Sequence, residues 1–319
     1  VTGESDADVI VVGSGVVGLT TAVELAERGS RVRVWAREPA ERTTSAVAGA
    51  LWWPYHIGPE HLAGAWALTS LAVYTELSAR PEETGVRLVG GVYGGTRRDQ
   101  LGAWADEVPE LRPALPGEYA GTGLWARLPL IDMAVHLRWL RRRLTAAGGT
   151  VEHRTVSDLA RVPAPVVVNC TGLGARELVP DPRVRPERGQ LVVVENPGVH
   201  TWLTVPDEVG EGATCLFPHP SGLVLGGTAE TDSWSLTPDP ATAERIVARC
   251  AALRPEIAGA RVLEHRVGLR PVRDAVRLER KVRDGGRVLV HNYGHGGGGV
   301  TVAWGCARRA ADLALAKAV

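Results

Sequence analysis

Two glycine-rich turns carry the most direct chemical information in this chain of 319 residues. The first reads Gly13-Ser14-Gly15-Val16-Val17-Gly18. Glycine lets the backbone turn tightly and approach a ligand closely, and amides exposed at a helix start favour an anion. The spacing therefore suits the pyrophosphate of a dinucleotide. Further on, the carboxylate of Glu38 could accept hydrogen bonds from ribose hydroxyls, while its neighbour Arg37 could meet a phosphate. That pair leaves FAD and a phosphorylated nicotinamide cofactor both open. The second turn is His295-Gly296-Gly297-Gly298-Gly299, followed by Val300 and Thr301. A glycine loop again feeds a helix, which would stabilise negative charge developing on a ring set against it. The same run looks like an esterase oxyanion loop, but no GxSxG nucleophile elbow accompanies it, which argues against a hydrolase. His56, Glu60 and His61 look like a scrambled zinc motif; Gly58-Pro59 interrupts the helix such a motif needs, so no metal is expected.

These turns need elements to hold them. Residues 8–12 read as a buried strand, 16–29 as a helix and 31–36 as a second strand, so the first turn sits inside a βαβ unit. A helix at 137–148 and a β-branched strand at 166–170 extend the same nucleotide-binding layer. A strand at 287–291 and a helix at 300–317 bracket the late glycine loop. Between them, 51–131 is rich in proline and glycine, and 191–279 contains short strands such as 191–195 and 223–226. The expected fold is α/β: a Rossmann-like FAD-binding domain from 1–50, 132–190 and 280–319, interleaved with a second α+β domain. That second domain, 51–131 and 191–279, is expected to be built on a mostly antiparallel sheet and to bind substrate.

Composition narrows the partners. Basic and acidic residues balance at 36 each, so no nucleic acid, membrane surface or strongly charged partner is implied, and a small molecule is the natural ligand. The ten tryptophans have no basic groove beside them and read as core and pocket filler. Cys170, Cys215, Cys250 and Cys306 form no CxxC pair and read as reduced thiols. With no export, membrane or peroxisomal signal recognised, the expected location is cytoplasmic. Abundant arginine and alanine with little lysine suggest a GC-rich bacterial gene.

From Leu289 to Ala307 the sequence resembles the signature of the D-amino acid oxidase and D-aspartate oxidase family, with His291-Asn292-Tyr293-Gly294 and the paired glycines in place. Thr43-Thr44-Ser45, the run from Val47 to Leu51 before Trp52, Val168-Asn169-Cys170-Thr171-Gly172, Arg188-Gly189-Gln190 and Gly268-Leu269-Arg270-Pro271-Val272-Arg273 extend the likeness from end to end. The resemblance implies FAD as cofactor and D-amino acids as substrates, oxidised by molecular oxygen with release of hydrogen peroxide. It implies that Arg270 holds the substrate carboxylate, that the Gly297 carbonyl accepts from the substrate amine, and that Tyr55 and Trp53 lie at the pocket wall. For the flavin it implies Gly13, Ser14, Gly15, Val16, Val17, Gly18, Arg37, Glu38, Thr44, Ser45, Gly49, Ala50, Leu51, Val156, Thr171, Gly296, Gly297, Gly298, Gly299, Val300 and Thr301, with Thr43 in support. Arg273 is read as a structural arginine.

One departure stands out. Family members carry tyrosines in an active-site lid, whereas 205–220 here offers Glu211, Thr214, Cys215, Phe217 and His219. Carboxylate binding would then rest on Arg270, and neutral or basic side chains are expected over acidic ones. Other flavin amine oxidases, a nicotinamide-dependent dehydrogenase and a non-enzymatic flavin binder remain as alternatives. A homodimer is suggested by the resemblance alone.

Overall fold

The structure is a computed structural model and describes residues 7–54, 57–207 and 212–316. The chain opens with β1 (Val9–Val12), α1 (Val16–Glu27) and β2 (Val32–Ala36), the parallel βαβ unit that the glycine spacing predicts. Helices α2 (Glu60–Leu77) and α3 (Pro81–Thr84) lead to β3 (Val86–Gly94), β4 (Arg112–Pro113) and β5 (Gly123–Ile131). Then α4 (Met133–Ala146), β6 (Thr150–His153), β7 (Val166–Asn169) and α5 (Ala175–Leu178) return to the first layer. The next excursion comprises β8 (Arg185–Val194), β9 (Trp202–Pro206), β10 (Gly212–His219), β11 (Gly222–Thr228), β12 (Glu230–Thr231), α6 (Pro240–Leu253) and β13 (Val262–Val272). The chain closes through β14 (Arg277–Val282), β15 (Val288–Tyr293) and α7 (Ala303–Leu315).

Six strands form one sheet in the order β14-β15-β7-β1-β2-β6, parallel except where β14 pairs with β15. Strand β1 reads Val-Ile-Val-Val and is buried on both faces, as a central parallel strand requires. Val9 and Val11 join the helical side of the core, and Ile10 and Val12 pack with Trp35, Leu159 and Val167 on the other. The open edge, β14, is guarded by the charges of Arg277, Glu279, Arg280 and Lys281.

Nine strands form the second sheet, β12-β8-β11-β10-β9-β3-β5-β4 with β13 along β8, antiparallel except for the β3–β9 pair. Strand alternation gives it two faces. Val192, Val194, Leu216 and Leu225 pack against Ile246 and Cys250 of α6. Val193, Phe217, Val224 and Leu130 turn the other way, into a core shared with Val16, Cys170 and Trp304 of the first layer. The two layers therefore meet along one face of the larger sheet. Residues 185–190, grouped from sequence with the nucleotide-binding layer, lie in β8 of this sheet, and residues 277–279 lie in β14 of the other.

Two local differences from the sequence reading have physical reasons. The last helix begins at Ala303 and not at residue 300, because residues 299–302 form turns closed by Val302 N–H to Gly298 O (3.1 Å) and Ala303 N–H to Val300 O (3.3 Å). Helix α2 is long, and the first half of its buried face is lined by the small residues Ala63, Gly64 and Ala67 before Leu71, Val73, Tyr74 and Leu77 follow, so its apolar pattern is weak where it starts. Close approach replaces bulk there: a Cβ on Gly305 of α7 would lie 2.3 Å from Trp66 O.

Candidate active site

At the C-terminal end of β1 the chain leaves the sheet where β2 lies on one side and β7 on the other, the position at which open α/β sheets bind ligands. Gly13 N–H is held by Trp35 O (2.9 Å), and the turn has no room for side chains. A Cβ at Gly13 would sit 2.4 Å from Cys170 O, and one at Gly18 would sit 2.0 Å from Gly13 O. Gly15 differs: a Cβ there would meet only the hydroxyls of Ser45 (3.1 Å) and Thr43 (3.9 Å) and the Thr43 Cβ (4.0 Å), so its bare side opens toward that pair. Ser45 Oγ accepts from Val16 N–H at 3.0 Å, while the Val17 and Gly18 amides in the first turn of α1 lack intrahelical acceptors. Arg37 is exposed and Glu38 half-buried just beyond β2, and Glu38 O accepts from Ser14 Oγ at 2.8 Å. Val156 follows β6 and packs beside Trp35.

A 3₁₀ turn over Thr44–Val47 and the chain that follows it to Leu51 carry the site into the second layer. Thr44 turns away from the fingerprint and donates to Leu269 O (3.0 Å), next to Arg270. Gly49 lies under Phe217, whose ring would be 2.6 Å from an added Cβ, and Gly49 O accepts from His219 Nε2 (3.1 Å). Ala50 has φ +57°, and its carbonyl accepts from Ile131 N–H (3.1 Å); Leu51 pairs with Leu130. On the other side of the sheet edge, Thr171 N–H and Oγ1 both donate to Asn169 Oδ1, at 3.2 and 2.7 Å.

The late glycine loop forms a 3₁₀ turn over Gly296–Gly298 with Gly296 at φ +52°. Gly297 is exposed, Val300 and Thr301 are buried, and the amides of the latter two find no acceptor among the described residues. His295 is buried with Nε2 unpartnered among the described residues, and burial pushes its pKa down to about 4, so the ring is neutral. The loop is pinned by Thr301, which exchanges hydrogen bonds with the Trp53 backbone, and by Tyr74, whose hydroxyl donates to Val300 O at 2.9 Å.

Arg270 lies on β13, on the face of the large sheet that meets the first layer. Nη1 donates to Glu187 Oε1 (2.9 Å) and to Thr228 O (3.0 Å). The guanidinium rests over Gly189, where a Cβ would approach Nη2 to 2.6 Å. Nε and Nη2 have no partner among the described residues, and the side chain stays 28% exposed. Across the same face, Tyr93, Thr204, Cys215 and Gly226 stand in register on β3, β9, β10 and β11. Burial pushes the Cys215 thiol up to about 11, against the pull of Thr204 and of the Arg270 charge.

Several sequence expectations change at this face. Trp53 is 6% exposed and stacks on Tyr93, with ring centroids 4.5 Å apart and planes 10° apart, so its indole supports the row from behind instead of lining an open wall. Tyr55 and Glu211 lie outside the described residues. Thr214, Cys215, Phe217 and His219, read as part of a lid, belong to β10 and are fixed by sheet pairing. His219 is no cation: burial lowers its pKa and its Nε2–H is spent on Gly49 O. Arg273 is structural, paired with the buried Asp181 at 3.0 Å. Two residues escaped sequence reading: Glu187, which pairs with Arg270 from two residues upstream of Gly189, and Arg87, which donates to Pro218 O.

The cradle fits a dinucleotide. Glycines with no room for Cβ, open amides at the start of α1, the Thr43 and Ser45 hydroxyls and the second pair of free amides at Val300 and Thr301 are the donor set that FAD requires along its length.

Comparison with known proteins agrees. The family model described as FAD dependent oxidoreductase matches residues 8–313. A D-amino-acid oxidase of Streptomyces coelicolor is 69% identical over 312 residues, covering 98% of both chains. One from Rubrobacter xylanophilus is 50% identical over 317 residues, covering 96% of this chain and 95% of its own. Among solved structures, a glycine oxidase from Bacillus cereus shares the fold with a TM-score of 0.79 at 19% identity, covering 97% of this chain and 94% of its own. This chain belongs to the FAD-dependent oxidoreductase family, in the branch of the D-amino-acid oxidases.

Proposed function

We propose that the chain converts D-amino acids, oxygen and water into 2-oxo acids, ammonia and hydrogen peroxide, with the substrate carboxylate on Arg270. The observation that carries this assignment is a guanidinium held at one end whose Nε–Nη2 edge has no partner among the described residues. Such an edge offers two parallel N–H groups to a carboxylate, which fixes orientation as well as charge. The chemistry that bound FAD would supply is acceptance of the alpha-carbon hydride and transfer of its electrons to oxygen.

The protein's own part is positional. In this reading the six-stranded layer holds FAD through residues 13–18, Arg37, Glu38, the 43–51 segment, Val156, Thr171 and the 296–301 loop, and the nine-stranded layer holds the amino acid. The Gly297 carbonyl accepts a hydrogen bond from the substrate amine. Arg270 and Gly297 together give the substrate two fixed points, and orientation of this kind supplies much of the rate in hydride transfer. No side chain is required as a base when the amine is bound neutral.

The neutrality of His219 removes one cation that could meet a second carboxylate, which supports neutral or basic side chains over acidic ones. The four cysteines, free and buried or half-buried, suit a cytoplasmic enzyme. Assembly as a homodimer follows from family resemblance and is checked by sedimentation.

An anaerobic spectrum of the purified protein, taken before and after adding D-alanine, D-lysine, D-aspartate and their L forms, tests the reading. Bleaching of the flavin band by D forms only, strongest with D-alanine or D-lysine, is the expected result. A flavin that no D-amino acid reduces would overturn it.

A further inference from the structure

We propose that Glu187 is a positioning residue for Arg270, selecting which edge of the guanidinium the substrate meets. The inference rests on the assignment of Arg270 to the substrate carboxylate. An arginine presents five N–H groups and can grip a carboxylate through its end or its side. Here both hydrogens of Nη1 are spent, on Glu187 Oε1 at 2.9 Å and on Thr228 O at 3.0 Å, so the end-on grip is closed. Among the described residues the three N–H groups on Nε and Nη2 have no partner, and Nε–H with one Nη2–H makes a complete side-on fork.

Glu187 is well placed for this task and poorly placed for others. It stands opposite Arg270 in the β8–β13 register, on the same face, with 23% of its side chain exposed. Gly189, two residues on, lies directly beneath Nη2, so the guanidinium is pressed flat on β8 with Glu187 at one end. The backbone acceptor Thr228 O belongs to β11, so two strands besides its own hold the arginine. A long arginine side chain otherwise has many rotamers to lose on binding, and Glu187 removes that freedom before substrate arrives.

The test titrates the FAD-loaded protein with pyruvate, a 2-oxo acid product, following the perturbation of flavin absorption, and measures D-alanine turnover alongside. E187A should weaken pyruvate binding about tenfold, equivalent to about 1.4 kcal/mol, and raise KM for D-alanine by a similar factor with a smaller fall in kcat. E187Q, whose amide oxygen accepts the same hydrogen bond, should return both to within about threefold of the parent. E187A that titrates like the parent, or E187Q as impaired as E187A, overturns the proposal. R270L separates the two readings: pyruvate binding unchanged in R270L removes Arg270 as anchor, whatever Glu187 does. Should E187A fail to retain FAD, a crystal structure of the parent with pyruvate decides. The carboxylate on Nε and Nη2 with Glu187 still on Nη1 supports the proposal, and the carboxylate on Nη1 in place of Glu187 overturns it.

Discussion

Thr301 and Trp53 exchange hydrogen bonds in both directions: the Thr301 hydroxyl donates to the Trp53 carbonyl at 3.0 Å, and the Trp53 amide returns one to Thr301 Oγ1 at 3.4 Å. One residue ends the late glycine loop and the other enters the second layer, so this exchange ties the two halves of the site. Thr301→Val should cost about 1–3 kcal/mol, since it leaves the buried Trp53 groups unpaired. The melting temperature should fall and FAD should pass an ultrafiltration membrane more readily, with Thr301→Ser close to the parent. An unchanged melt and unchanged FAD retention would count against the tie.

Gly18 and Gly15 should fail in different ways. Gly18→Ala places a methyl 2.0 Å from Gly13 O, against backbone that cannot yield, so the protein should lose both fold stability and yellow colour. Gly15→Ala meets only flexible hydroxyls and one Thr43 methine, so its circular dichroism should match the parent while FAD affinity falls. Equal melting temperatures for the two variants would contradict this division.

Arg270→Leu removes a two-point carboxylate grip and leaves Glu187 without its partner. Truncating one member of a buried hydrogen-bonded charge pair costs about 2–5 kcal/mol, so kcat/KM for D-alanine should fall by about 10²–10³-fold. Arg270→Lys, with a point charge and no fork, should recover only a part. Steady-state kinetics with bound FAD verified by absorbance gives the answer.

Asp181 gathers Arg273 at 3.0 Å, Arg183 at 3.2 Å and the Tyr293 hydroxyl at 2.9 Å, with 3% of its own side chain exposed. Burial would raise its pKa, but the hydrogen bonds from Tyr293, Arg183 and Arg273 prevail and hold it at about 2. Asp181→Asn should cost about 3–5 kcal/mol by leaving Arg273 buried without a counter-charge. Urea unfolding would register this as a lower midpoint with an unchanged slope; a midpoint equal to the parent's would refute it.

Stability should fall in mild acid. His136 and His295 are both pushed down to about 4 by burial, from an ordinary value of 6.5, so the folded protein resists the proton that the unfolded chain accepts. Between pH 6.5 and 4 the unfolded state therefore binds more protons, and stability drops as pH falls. His136 stacks on Trp139 with Nδ1–H on Thr84 O at 2.8 Å, and its Nε2 is unpartnered among the described residues. Melting temperatures from pH 7 to 4 should decline steeply, and His136→Phe should flatten the slope.

How much was legible in the sequence depended on whether the signal was local. The first βαβ unit and the late glycine loop were readable because turn, strand and helix lie within a few residues of one another. The role proposed for Arg270 comes from resemblance, since nothing in Leu269-Arg270-Pro271 distinguishes a ligand from a structural arginine. Its pairing with Glu187 spans 83 residues and exists only once β8 and β13 align. The stacking of Trp53 on Tyr93 was not legible for the same reason: the partner arrives from another strand. Of the ten tryptophans, the seven buried ones bear out the reading as core filler.

The order of strands in the smaller sheet dictates an order in time. The glycine turn at residues 13–18 leaves the ribosome well before β6, β7, β14 and β15, the strands that complete its sheet. Helix α1 packs on α7, and Arg28 reaches Asp312 at 2.7 Å across that contact. The second glycine loop, residues 294–301, follows β15 and is synthesised after all six strands of that sheet. A site that uses both glycine turns can form only then, and a translating chain must keep its βαβ unit soluble while it waits for β15.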